Sequence, residues 1–133
     1  MTSEGEFEEK MLRWFRQYHD DVFPVETEET VPGFPDVLLE DHGNFISYGH
    51  HAELKVMDCS HRVTFERSQS AFYKKHPGMS IMVFALCPSS GTVYFLKNAK
   101  RVLEAVAETG SLTVDFMRLW EETDKNEKGT IQL

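Results

Sequence analysis

The 133-residue chain has no apolar run approaching the ~20 residues that a membrane-spanning helix requires, so a helical membrane protein is excluded. Its N-terminal stretch MTSEGEFEEK is acidic and has no hydrophobic h-region, so no secretory signal is expected. Cysteine is scarce. Cys59 and Cys87 form neither a disulfide framework nor a zinc knuckle, and a reduced intracellular setting, the cytoplasm, is the expectation. Internal repeats, low-complexity segments, a P-loop, a G-x-S-x-G elbow and a dinucleotide fingerprint are all missing. Positive charge is short as well: 14 Lys+Arg against 22 Asp+Glu leave a formal charge of −8. That argues against a passive nucleic-acid binder, whose affinity comes from cations displacing counterions from phosphate. It leaves room for an enzyme that gathers its acids around a divalent metal.

What is present fits one globular domain. The chain is 41% hydrophobic and 27% charged, and at this length about two thirds of its surface can be buried. Residues 1–122 read as that domain and residues 123–133 as a flexible tail. Helical spacing of Phe7, Met11, Trp14, Phe15 and Tyr18 predicts a helix over 5–19. Strands are expected at 36–39, 45–48 and 52–56, with a turn at 41–44 and an interruption at 49–51. A helix over 65–76 stops at Pro77-Gly78, and strands 80–86 and 92–96 form a hairpin. Asn98 opens a helix that Gly110 closes, and 112–121 is read as a last short helix. The order is α-β-β-α-β-β-α, an α/β domain with a mixed sheet.

The residues that carry chemistry are Asp36 at the start of one strand, and Glu53 and Lys55 on another. Period two puts Glu53 and Lys55 on one face while Leu54 anchors the strand in the core. Asp36 and Glu53 are hard oxygen ligands suited to Mg²⁺, with Mn²⁺ as a substitute and the Leu54 carbonyl as a third ligand. Lys55 beside them would orient a metal-bound water and steady charge on a phosphate. The chemistry implied is metal-assisted phosphodiester hydrolysis.

Pro35-Asp36, a 16-residue gap and Glu53-Leu-Lys55, with Gly33-Phe-Pro-Asp36 leading in, resemble the PD-(D/E)xK nuclease superfamily. Within it the chain looks most like VRR-Nuc and phage-type or RecU-like Holliday junction-resolving members, over roughly residues 4–96. The resemblance implies a restriction-endonuclease-like mixed sheet flanked by helices. It further implies a structure-selective DNA endonuclease of phage or mobile-element origin, acting on branched DNA, in a group whose small members commonly form homodimers. Gln69 and Tyr73 fit the Q-x-x-x-Y pattern that exonuclease-like members place beside the site, and residues four apart share a helix face. Tyr73 fits the core equally well, beside Phe65, Phe72 and His76. Glu8 falls on the apolar stripe of the first helix, where an acid needs a partner; the resemblance gives it a catalytic place, with Glu4 a rival. Arg62, Arg67, Lys74 and Lys75, with Tyr73, become the phosphate and strand contacts.

The acidic balance departs from the basic surface of duplex-cutting relatives and keeps a second reading open, a non-catalytic acidic binding or inhibitor protein on a nuclease-like fold. His50 and His51 are expected in a loop and, as neighbours, on opposite faces. A zinc centre there has no third ligand at suitable spacing. Cys59 lacks the orienting group that a cysteine nucleophile needs.

Overall fold

The computed structural model describes residues 4–25, 33, 35–42 and 47–133, with the side chains of 42 and 47–49 left aside. Its elements run α1 (Glu4–Phe15), β1 (Asp21–Pro24), β2 (Val37–His42), β3 (Ser47–Val56), β4 (Arg62–Thr64) and α2 (Arg67–Lys75). They continue with β5 (Ile81–Cys87), β6 (Thr92–Leu96), α3 (Lys100–Thr109), β7 (Thr113–Asp115) and α4 (Phe116–Glu122), then a 3-10 turn (Lys125–Glu127) and β8 (Lys128–Gln132). The described residues form a six-stranded mixed sheet in the order β1-β2-β3-β5-β6-β8, and β4 pairs with β7 in a separate ribbon.

β3 and β5 are the parallel pair, and the other neighbours are antiparallel. A parallel pair needs a long crossover, which here is β4 and α2. Period two divides the side chains of the sheet between two cores. On one face Val37, Leu39, Ala52 and Phe84 meet Phe7, Met11 and Phe15 of α1. On the other, Val83, Ala85 and Leu96 meet Phe65, Phe72, Val102 and Phe116, from around α2, α3 and α4.

Several expectations are corrected. α1 ends at Phe15, where His19 N–H bonds the Phe15 carbonyl and Tyr18 turns out to solvent. The acidic link contributes β1, a four-residue strand ending in Pro24 that edge pairing with β2 holds extended. Gly49, His50 and His51 do not interrupt a strand or lie in a loop. They belong to β3, held by β2 partners Glu40, Leu39 and Leu38, and His51 also pairs with Ile81 of β5. Residues 43–46, and so half of the expected turn at 41–44 and the start of strand 45–48, lie outside the described residues, while Asp41 and His42 extend β2 instead of turning. The segment 112–121 is divided between β7 and α4, with Asp115 Oδ1 accepting the Arg118 N–H at 3.2 Å.

The tail is not loose. Residues 128–132 form β8 on β6, and Ile131 is buried in the α1-side core. Lys128 Nζ lies 4.1 Å from the Trp120 ring centroid and donates to the Trp120 carbonyl at 2.8 Å. Strand pairing rescues a segment too polar to be recognised alone. Ile131→Ala is therefore expected to cost about 2–4 kcal/mol in urea unfolding, the range for emptying a buried aliphatic site. An unchanged midpoint would mean that β8 contributes nothing to the core.

Candidate functional site

β2 and β3 bring the two carboxylates together. Val37 pairs with Ala52, so one step outward Asp36 faces Glu53. The Asp36 side chain closes this junction by accepting the Leu54 N–H on Oδ2 at 2.8 Å, while its own carbonyl accepts from Val25 N–H at 2.8 Å. Glu53 is fully buried, and Asp36 and Lys55 are half-buried.

Helix α2 supplies the group that joins them. Gln69 Oε1 accepts from Lys55 Nζ at 2.9 Å and from the Glu66 N–H at 2.9 Å. With two donors on its oxygen, the carboxamide must turn its NH₂ toward Glu53, and Nε2 donates to Glu53 Oε1. The bond to Glu66 N–H is half of a capping box that starts α2, so one side chain begins the helix and ties Glu53 to Lys55. Lys55 Nζ also lies 5.2 Å from the Phe65 ring centroid, which shields the ammonium on one side. Lys55 reaches Glu53 through Gln69 rather than by a direct ion pair.

Burial first, and then the neighbouring Asp36 carboxyl, push the Glu53 carboxyl up to about 10 against the opposing pull of Lys55. Tyr73 is buried beneath it, and burial followed by the charges of Glu53 and Asp36 pushes its phenol up. Neither Glu53 Oε2 nor the Tyr73 hydroxyl makes a well-formed hydrogen bond. Two orphaned polar atoms in one buried spot are costly. Known proteins offer no match. No family model, curated protein or solved structure matches the chain.

The orphaned Glu53 oxygen beside a second carboxylate fits a hard divalent cation, which would take the charge that burial otherwise suppresses. Among the described residues no group of three or more His, Cys, Asp or Glu side chains could hold a metal. What the junction would offer a cation is therefore the two carboxylates of Asp36 and Glu53. Mg²⁺ is commonly held by one or two carboxylates and keeps several waters, so this set suits it better than zinc.

The remaining candidates separate. Glu8 is half-buried on α1, which covers the opposite face of the sheet. Glu4 is exposed at the start of α1. Tyr73 takes the core position and presents no surface to a nucleic-acid strand. Arg62 on β4 and Arg67, Lys74 and Lys75 on α2 are exposed. His51 shares the face of Glu53 and Lys55, and burial lowers its pKa; His50 points to the α1 side. The pattern E-x-x-Q at 66–69, a helix-start signal, is the trace by which the bridging role of Gln69 could have been found.

Gly33 explains why the lead-in segment carries a glycine. Its φ is +84°, and a Cβ there would stand 2.1 Å from the Ser68 carbonyl oxygen in the first turn of α2. The backbone before Asp36 thus rests directly on the helix that carries Gln69. Gly33→Ala is expected to destabilise the protein by roughly 2–4 kcal/mol and to lower any activity of the site, since strain and a backbone clash act together. Wild-type stability in urea would show that the loop adapts freely.

Proposed function

We propose that the protein is a Mg²⁺-dependent DNA endonuclease that hydrolyses phosphodiester bonds, selective for branched DNA such as Holliday junctions. The observation that carries this reading is the facing pair Asp36 and Glu53, joined through Gln69 to Lys55. The succession α1, β2, β3, α2, β5, β6, α3 supports a restriction-endonuclease-like core, with β1, β4, β7, α4 and β8 as additions. A phage or mobile-element origin, a cytoplasmic setting and a homodimer complete the proposal. Among the described residues no helix is long and apolar enough to cross a membrane.

Asp36 and Glu53, with the Leu54 carbonyl, would hold the metal. When bound, Mg²⁺ supplies a polarised phosphoryl oxygen and a more acidic water. The chain's own contribution is placement. Gln69 keeps Glu53 and Lys55 in fixed relation, and Lys55 presents its ammonium where negative charge develops on the phosphate. Phe65 and the core behind it exclude water from one side of that ammonium. Arg62, Arg67, Lys74 and Lys75 provide exposed cations for backbone phosphates. Two subunits would double this patch, offsetting the acidity of one chain, and would provide the two sites that paired cuts require.

A second reading rests on the full burial of Glu53: a closed polar cluster serving a non-catalytic acidic binding protein. Incubating the protein with branched, duplex and single-stranded DNA, with and without Mg²⁺, separates the two. Metal-dependent cutting, strongest on branched DNA, is the expected result. Absence of cutting on every substrate with Mg²⁺ or Mn²⁺ would leave the binding protein.

A further inference from the structure

On the face of the sheet away from Glu53, beside the C-terminal end of α1, is a cavity of about 340 Å³. Its floor is apolar and mostly aromatic: Trp14, Met82 and Phe95 are half-buried, and Phe15 and Phe84 are buried beneath them. Phe84 packs on Phe15 edge-to-face at 5.1 Å and on Phe95 at 5.1 Å, so the floor is firmly packed. Polar groups gather at the rim: His19, Asp41, His50, Ser80 and Lys97. A mostly apolar hollow with a few convergent polar groups is the usual form of a small-molecule site.

The rim chemistry selects the ligand. Asp41 is already satisfied, with Oδ2 on His19 Nδ1 at 2.9 Å and Oδ1 taking the Asp20 N–H at 3.2 Å. His50 Nδ1 and Ser80 Oγ are 2.9 Å apart. Whichever of these two donates, one donor remains: the His50 Nε2–H if Ser80 donates, or the Ser80 hydroxyl if His50 does. Lys97 is exposed; its backbone N–H donates to the Glu127 carbonyl at 2.9 Å, and its ammonium has no hydrogen bond or ion pair among the described residues. The rim groups left for a ligand are therefore the Lys97 ammonium and a donor of the His50–Ser80 pair, while the Asp41 carboxylate is engaged by His19 and the Asp20 N–H.

We propose that this cavity binds a small planar aromatic carboxylate, its ring against Trp14, Met82 and Phe95 and its carboxylate between Lys97 and the His50–Ser80 pair. The floor answers the flat apolar body by stacking. The rim answers the charge, since an ammonium and a hydroxyl or imidazole N–H both donate to a carboxylate. His50 and Ser80 are 30 residues apart and meet because β3 runs parallel to β5. The site is independent of the nuclease reading, being on the other face of the sheet.

The test is calorimetric titration of the full chain with 2-naphthoate, with 2-naphthalenemethanol and acetate as matched probes. Expected are one saturable site for naphthoate, affinity for the neutral alcohol lower by about tenfold, the scale of one charge-assisted hydrogen bond, and no measurable binding of acetate. Lys97→Ala should reduce naphthoate affinity to that of the alcohol. Ser80→Trp, at an exposed rim position, should block both aromatic probes, and two-dimensional NMR should place the shifts at His50, Ser80 and Lys97. Failure of naphthoate to saturate, equal affinity for acid and alcohol, or wild-type binding by Lys97→Ala would each overturn the proposal. Lys97 is solvent-exposed and its variant should fold, so that arm decides even if Ser80→Trp misfolds.

Discussion

Glu53→Gln is expected to abolish DNA cleavage while making the metal-free protein more stable than the native chain at neutral and alkaline pH. Burial and Asp36 lift the Glu53 carboxyl from 4.5 to about 10 in the folded state. Between those values the folded protein holds a proton that the unfolded chain releases. The stability contributed by the neutral carboxyl is fully present below pH 4.5 and is lost as pH rises toward 10, at up to about 1.4 kcal/mol per pH unit for one proton. Glutamine has the same shape, keeps an oxygen for Gln69 Nε2 and never ionises. Its unfolding free energy should stay flat where that of the native chain falls. Mg²⁺ should reverse the order: it binds the ionised site of the native protein and stabilises it by mass action, and leaves the Glu53→Gln protein unaffected. Urea unfolding at pH 5, 7 and 9, with and without Mg²⁺, reads all of this. Parallel pH profiles would show that Glu53 carries its proton no differently folded or unfolded, and a variant that cuts normally would place the chemistry elsewhere.

Lys55→Ala should lower single-turnover cleavage by about 10²–10³, the usual loss for one preorganised electrostatic group, with Mg²⁺ affinity unchanged or slightly improved. Its ammonium donates to Gln69 Oε1, so it stands next to the carboxylate pair without pairing directly with either acid. Removing it leaves Gln69 its bond to Glu66 N–H, and the start of α2 should hold. Lys55→Arg should rescue poorly. A guanidinium is larger, stays charged at any accessible pH, and has to fit between Gln69 and the Phe65 ring. Were Lys55 only a surface cation, its loss would change stability by ~0–1 kcal/mol and leave the rate alone. Measuring metal titration and single-turnover rate on one preparation distinguishes the two, and near-native turnover would remove Lys55 from the chemistry.

Period-two reasoning alone put Glu53 and Lys55 on one strand face with Leu54 on the other, and helical spacing alone found the buried stripe Phe7, Met11 and Phe15. Gly110 was legible as a helix stop because a left-handed residue, here at φ 72°, is what such an ending takes. These features follow from the local geometry of the chain, which a sequence pattern records directly. The edge strands β1 and β8 and the run Gly49-His50-His51 inside β3 were not legible. Each is short or carries Pro, Gly or paired His, too weak a local signal by itself; hydrogen bonds from β2, β5 and β6, contributed by distant parts of the chain, hold them extended. The same holds for chemistry. The types and spacing of Asp36, Glu53 and Lys55 are written in the sequence. The proton on Glu53, the Gln69 bridge and the meeting of His50 with Ser80 are not. They depend on how deeply α2 and the sheet bury a carboxyl and on which strands run side by side. Burial and long-range pairing are properties of the assembled layers, and only the tertiary structure decides them.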